Sequence, residues 1–444
     1  MGAATDVRRV SPWRVGVVSG MASYIDAAAI AGFAGAIVIF QSTLNFTAVE
    51  IGVTAGVLTG GIALGAVTGG RLGDTYGRKP VFMATMATII LGALALIFAP
   101  SFAVVLVGAA LVGLGAGADL PVSLSTIAEA ADERNRGKIL ALSQILWVVG
   151  IIMNGVITAL VADLGRIGTA IIFGHLAVAA IATLIARFSI PESVSWTSAR
   201  RERAEGILTV RARKAGVREL ARSPYAVPFA ALVVFYSLTN LASNSVGQFG
   251  SFVAVNYGGI PLGVATVAGL PIVPVAIASS IVFLRIADRP IRFAFFRVGA
   301  CLQVASPLFY VFFGVQLWTL IASGIVTAVA SAFAFEGIMK IWTQSSFPTL
   351  LRTTAQGSII GVARLAAALF AVVTPTLLQA VGVRVVWGIL SLLCAVGGLW
   401  AWSVFRTRDR HSEFDAETAI VPDAGAQTAV ETAAAPAGTA GSAA

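Results

Sequence analysis

Gly70-Arg71-Leu72-Gly73-Asp74-Thr75-Tyr76-Gly77-Arg78-Lys79 places four charged residues within ten positions. The flanking stretches 48–70 and 80–99 are predominantly apolar. Each has the roughly 20 residues that cross a bilayer core as a helix, so the segment reads as a short polar connection between two spans. The rest of the chain obeys the same logic. Only 11% of the 444 residues are Asp, Glu, Lys or Arg and 57% are hydrophobic, against roughly 25% and 45–50% in soluble domains. Such a chain cannot coat a globule with polar surface, and a large extramembrane enzyme is excluded.

Outward from this connection, apolar stretches of spanning length run over 13–40, 48–70, 80–99, 102–130, 138–162 and 169–190, and again over 226–255, 262–285, 293–314, 316–345, 355–380 and 384–405. Helix is the state that fits them, because lipid leaves no water for bare backbone groups and the alternating pattern of a membrane barrel is absent. The first stretch follows Arg8 and Arg9 and reads as a retained span. Cys301 and Cys394 both fall in apolar runs and read as packing residues. A repeat divides the set into two. Arg285-Ile286-Ala287-Asp288-Arg289-Pro290-Ile291-Arg292 echoes the opening segment, with Asp74 and Asp288 separated by 214 positions and Arg136 and Arg352 by 216. Near-constant offsets of this kind are what a duplicated six-helix unit leaves. The expected architecture is an all-α membrane protein of twelve transmembrane helices in two pseudo-symmetric six-helix bundles, 1–190 and 226–405. A charged linker with a short amphipathic segment occupies 191–225, and an Ala-rich tail of disordered composition occupies 406–444.

The net charge of +9 is explained by topology, so no nucleic-acid partner is expected. Of the 30 Lys and Arg residues, 23 fall in the terminal segments and even-numbered connections, whereas Arg166 and Arg384 lie in the odd ones. Cytoplasmic segments carry the excess of basic residues, which puts both termini in the cytoplasm of a multi-pass protein of the inner (plasma) membrane. Arg14, Arg187 and Arg297 sit at cytoplasmic span ends, where long stems can snorkel. Lys340 and Arg364 fall inside spans and have no topological explanation.

The segment Gly70 to Lys79 resembles the signature between the second and third helices of the major facilitator superfamily, and the resemblance covers nearly all of the chain before the tail. Gly113-Leu114-Gly115-Ala116-Gly117, Glu129, Arg136-Gly137-Lys138, Pro191-Glu192-Ser193 with Trp196, and Phe347-Pro348-Thr349 with Arg352 resemble its sugar porter branch. Tyr24-Ile25-Asp26, with Glu336 and Lys340, is similar to a bacterial inositol-transporter subgroup. The resemblance implies two bundles rocking about a site near the bilayer midplane. It also implies a cytoplasmic gate of Asp74, Arg78, Glu129 and Arg136, answered in the second half by Asp288 and Arg352, and a monomer.

Ionisable groups inside spans are expensive and functional by default. Asp26 matches the position where proton-coupled sugar porters carry a protonatable Asp, but their partner Arg, four residues before Gly113, is Ala109 here. Asp119 offers a second proton carrier, in a pattern resembling phosphate and organic-ion relatives. Glu336 and Lys340 are four apart and can pair, either structurally or as solute ligands; Arg364 could complete their network or face other helices. Gln144 matches a sugar-contacting Gln of the family. Asn240, Asn244 and Gln248 recur every four residues, so they share one helical stripe, and amides both donate and accept as hydroxyls require. The seventh-helix Gln-Gln pair of true sugar porters is missing, as is a Gln at Ile151. Trp342 and Trp147 could stack on a ring or pack, and His175 reads as a packing residue.

The expected activity is import of a polyhydroxylated solute, an inositol-like cyclitol ahead of an aldose, by proton symport. The alternatives are symport of a small organic or inorganic anion, such as phosphate or a carboxylate, and a non-transporting scaffold on the same fold. No nucleotide loop, metal cluster or nucleophilic triad is legible, so neither a cofactor nor enzymatic chemistry is expected.

Overall fold

A computed structural model describes residues 10–130, 136–193, 197, 220–222, 225–286, 289–347 and 349–408. Among them every regular segment longer than a turn is α-helical. The first half comprises α1 (Pro12–Thr43), α2 (Ala48–Tyr76), α3 (Arg78–Ile97), α4 (Phe102–Ala130), α5 (Arg136–Val161) and α6 (Arg166–Phe188). The second comprises α7 (Ala226–Gly258), α8 (Leu262–Val267), α9 (Ile272–Ile286), α10 (Arg292–Phe313), α11 (Leu317–Ala334), α12 (Glu336–Ser346) and α13 (Thr349–Arg408). Helices α8 and α9 share one pass, α11 and α12 another, and α13 makes two passes about Gly382, where φ is +79°. The result is twelve passes in two sets of six, as expected.

Two passes differ from the continuous helices expected over 262–285 and 316–345. The first is interrupted by a turn at 268–271, where Pro271 lacks a donor and crowds the preceding turn. The second breaks at Phe335, with φ −139° and ψ −127°. No proline accompanies this break, and it leaves Glu336 as the first residue of α12.

The opening connection is built around Gly77. Its φ of +105° ends α2 and starts α3 one residue later, a conformation that glycine alone adopts readily. The free N–H groups at the start of α3 attract an anion. The Glu192 carboxylate accepts from Arg78 N–H at 2.8 Å and Lys79 N–H at 3.2 Å, tying α3 to the segment after α6.

Lipid tails are as apolar as Leu, so helices in a bilayer associate through close packing rather than through hiding apolar surface. Helix α2 does this on two faces. Toward α4, a Cβ on Gly65 would lie 2.4 Å from Leu114 O, and one on Gly117 would lie 2.1 Å from Ile62 O. Toward the second half, a Cβ on Gly52 would lie 2.1 Å from Val372 O of α13.

A buried charge cluster braces the first half. Arg187 of α6 donates from Nη1 to Asp119 Oδ1, and from Nη2 to Asp119 Oδ2 at 2.8 Å and Ser123 Oγ at 2.9 Å. Thr85 of α3 donates to Asp119 Oδ1 at 2.9 Å, and the guanidinium lies over the Phe82 ring at 4.3 Å. Snorkelling is the expectation for Arg187, as exposed Arg14 and Arg297 are free to do; instead it is fully enclosed, because a bidentate carboxylate answers its charge inside the helix bundle. Asp119, expected as a candidate proton carrier, is the other member of that pair.

Two outcomes follow from this packing. Gly65→Ala should lower the thermal unfolding midpoint in detergent, while Gly174→Ala, whose Cβ meets nothing within 4 Å, should leave it unchanged; equal midpoints would refute backbone contact between α2 and α4. Arg187→Met should destabilise by about 3–5 kcal/mol because it strands a buried carboxylate. Adding Asp119→Leu should recover most of that loss, and a double variant as unstable as the single would show that the pair is not the brace.

Candidate functional site

Asp26 sits halfway along α1 and is 1% exposed. The chain reaches this arrangement through another glycine. A Cβ on Gly150 of α5 would lie 2.5 Å from Tyr24 O, and the close approach brings Trp147, one turn earlier, to the Asp26 carboxyl. Asp26 Oδ1 has no hydrogen-bond partner. Among the described residues, the charged groups that influence it, Arg364 of α13 and Glu336 of α12, belong to the second half.

Around this carboxyl the second half supplies a polar wall. Lys340 Nζ lies 2.6 Å from Glu336 Oε1, and each side chain is 44% exposed, so water reaches the pair. The ring of Tyr236 on α7 packs against Phe335, the residue before Glu336, with centroids 5.2 Å apart. Asn244 Nδ2 donates to Asn240 Oδ1 at 2.8 Å, and Gln248 Nε2 donates to Thr59 Oγ1 of α2. Tyr236, Asn240, Asn244 and Gln248 therefore form one stripe with a period of four along α7, running from the Glu336–Lys340 pair to the opposite half. The second half's charged groups here are Glu336, Lys340 and Arg364, of which Glu336 and Lys340 form an ion pair.

The two ends of the molecule differ. Near the odd-numbered connections, Gln41 of α1 and Asn256 of α7 exchange hydrogen bonds of 3.1 and 3.0 Å, and Phe40, Phe252, Leu378 and Trp387 share one apolar core across both halves. On the arginine-rich side the described cores are separate, Ile127 with Ile139 in the first half and Phe296, Trp342 and Phe405 in the second. A distinct cavity of about 270 Å³ lies between the halves, lined by Gly35, Thr158, Gly247, Ser251 and Thr266 among others, with no charged side chain in its wall. The charged cluster, not this cavity, has the chemistry of a site.

Of the residues singled out from sequence, Asn240 bonds to Asn244, Glu336 pairs with Lys340, and Gln248 bridges to α2. Trp342 does not join them. It is fully enclosed, stacked on Phe405 at 4.3 Å and packed on Phe296 at 4.8 Å, so the ring-stacking role expected for it is replaced by core packing. His175 shares a hydrogen bond of 2.6 Å with Tyr24 Oη. Arg78, the first residue of α3, is buried against the last turn of α2, with Nη1 3.1 Å from where a Gly73 Cβ would stand. Asp288 and the side chains of Asp74, Glu129, Arg136, Gln144 and Arg352 lie outside the described residues. Tyr236, four residues before Asn240, continues the stripe with a phenol, which a pattern of amides does not mark. Thr59 carried no signal, since a Thr inside an apolar helix is common.

The profile of the Major Facilitator Superfamily matches residues 16–316. Over 378 residues the chain is 27% identical to the minor myo-inositol transporter IolF of Bacillus subtilis (strain 168), a match covering 84% of this chain and 86% of that protein. Among solved structures, a D-xylose-proton symporter aligns with a TM-score of 0.72 at 15% identity, covering 88% of this chain and 97% of the other. The inward open conformation of the xylose transporter XylE from E. coli gives the same score and identity, with coverages of 88% and 95%. At such identities the two structures speak for the fold alone. The twelve passes in two halves and the matched profile together establish that the chain belongs to the major facilitator superfamily.

Proposed function

We propose that the protein is a secondary transporter that imports a polyhydroxylated neutral solute, an inositol-like cyclitol ahead of an aldose, by proton symport. The observation that carries this reading is the Tyr236–Asn240–Asn244 stripe beside the water-accessible Glu336–Lys340 pair. Such a wall offers alternating donors and acceptors, which is what a ring bearing hydroxyls on both faces needs when it leaves water. Similarity to the myo-inositol transporter IolF supports the solute class. Asp26 is the proton carrier in this reading, an enclosed carboxyl with one oxygen unpartnered.

Rocking of the halves exposes the cluster to each side in turn. The arginine-rich side faces the cytoplasm of the plasma membrane, with both termini there. Asp74, Arg78, Glu129, Arg136, Asp288 and Arg352 form its gate, and Gln144 joins the solute site. The Gln41–Asn256 and Gln248–Thr59 bonds join the halves and open when the other side is exposed. The protein acts as a monomer, residues 191–225 connect its bundles, and it performs no enzymatic step.

The anion-symport reading rests on cations in the membrane, and the geometry weakens it. Arg187 is matched by Asp119 and Lys340 by Glu336, so among the described cations singled out inside the spans Arg364 is the one that remains.

Uptake of labelled myo-inositol, xylose, glucose and phosphate by a transport-deficient host, at two pH values and with an uncoupler, separates these readings. Myo-inositol should accumulate and the uncoupler should abolish accumulation. Asn240→Ala and Asn244→Ala should each reduce inositol uptake about tenfold, the effect of roughly 1.4 kcal/mol. Asp26→Asn should stop accumulation while leaving exchange of labelled for unlabelled solute. Accumulation of phosphate without inositol would overturn the solute class, and inositol uptake indifferent to the uncoupler would replace symport with facilitated diffusion.

A further inference from the structure

We infer that the cavity between the halves is a subsite for a small apolar substituent on the solute, so that a cyclitol bearing one short O-alkyl group binds with its ring on the α7 stripe and the alkyl group in the cavity. The inference rests on the polyol reading above and narrows it to a class of solute.

The cavity lies in line with the stripe. Gly247 and Ser251 line it and stand three and seven residues beyond Asn244, on the helical face that Asn240 and Asn244 share. At about 1.5 Å per residue they lie about 4.5 and 10 Å farther along the axis, the distance that a short substituent reaches from a ring held at Asn244. Helix α1 repeats the order. Asp26 comes first, then Ala31 and Gly35 in the cavity wall, then Gln41, which is bonded to Asn256 of α7. On both helices the cavity therefore falls after the candidate site residues and before the amide pair that ties the halves together.

Its wall is made for carbon rather than for hydroxyls. Thr158 Oγ1 donates to Asn154 Oδ1 at 3.2 Å and Thr266 Oγ1 to Leu262 O at 2.8 Å, so each hydroxyl is engaged within its own helix. Ile151, Val246, Leu270 and Ile272 add hydrocarbon. A second polyol enclosed there would leave most of its hydroxyls unpaired, which costs free energy for each one. Size points the same way. The cavity of about 270 Å³ is smaller than the roughly 300–1,000 Å³ of sites that enclose a whole small molecule, so it has room for part of a ligand. Missing side chains on α7 create that room, since a Cβ on Gly247 or Gly250 would meet nothing within 4 Å.

Binding to the full chain in lipid nanodiscs provides the test, read as displacement of labelled myo-inositol by its mono-O-methyl, mono-O-propyl and mono-O-pentyl ethers, with each ring oxygen substituted in turn. For at least one ring position the propyl ether should bind about tenfold more tightly than the methyl ether, the gain from burying two further methylenes. Gly250→Leu, which fills the cavity from α7, should cut the ratio of propyl-ether to myo-inositol affinity about tenfold, and Gly247→Val should lower the same ratio. Propyl and pentyl ethers that bind no better than the methyl ether at every ring position would overturn the inference, and so would a gain with chain length that both variants retain. Either result leaves the polyol reading standing. Failure of unlabelled myo-inositol to displace the label would overturn that reading and the inference together.

Discussion

Helices surrounded by lipid gain nothing by covering their apolar side chains, since the tails are as apolar as the chain. What remains is contact, and contact between backbones requires the absence of side chains at the crossing. The main structural decisions in this protein are therefore made by glycines. Gly65 and Gly117 lock α2 to α4 within the first half, and Gly52 lets α2 approach α13 in the second. Gly150 draws α5 onto α1 and carries Trp147 to Asp26. A methyl group at any of these positions would push apart helices whose spacing defines the interior.

The second constraint is that a charge in this interior must be answered. The protein does so in two ways. Asp119 and Arg187 are sealed in a bidentate pair with Thr85 and Ser123, with no route to water. This is the arrangement of a brace. Glu336 and Lys340 are paired just as closely but remain wetted, and Asp26 is enclosed with one oxygen unpartnered. Groups held this way can exchange partners with a solute or a proton, which a sealed pair cannot do without stranding a charge.

The twelve passes were legible because length and apolarity mark a span, and the turn at Gly77 because a glycine amid charges marks a connection. The stripe Asn240–Asn244–Gln248 was legible from its period of four. What sequence could not show is which residues meet across long separations. Arg187 looked like a residue at the edge of the membrane until its partner, 68 positions earlier, was known. Trp342 looked like a platform for a sugar ring, but an indole surrounded by Phe235, Phe296 and Phe405 is part of a core. Pro271 announced the turn beside it; Phe335, with neither proline nor glycine on either side until Gly337, announced nothing.

That unannounced break bears on how the site is made. Both interruptions fall in the second half, at 268–271 and at Phe335, while α1 to α6 are each continuous over their described lengths. The half with the sealed brace is the one with unbroken helices. The half with broken helices carries Glu336 and Lys340, and the break at Phe335 places Glu336 at the start of α12, where free N–H groups and the positive end of the helix dipole favour a carboxylate. A continuous helix would have put its own carbonyls behind that residue and withheld those donors. Breaking the tenth pass therefore does locally what a second cation would otherwise have to do.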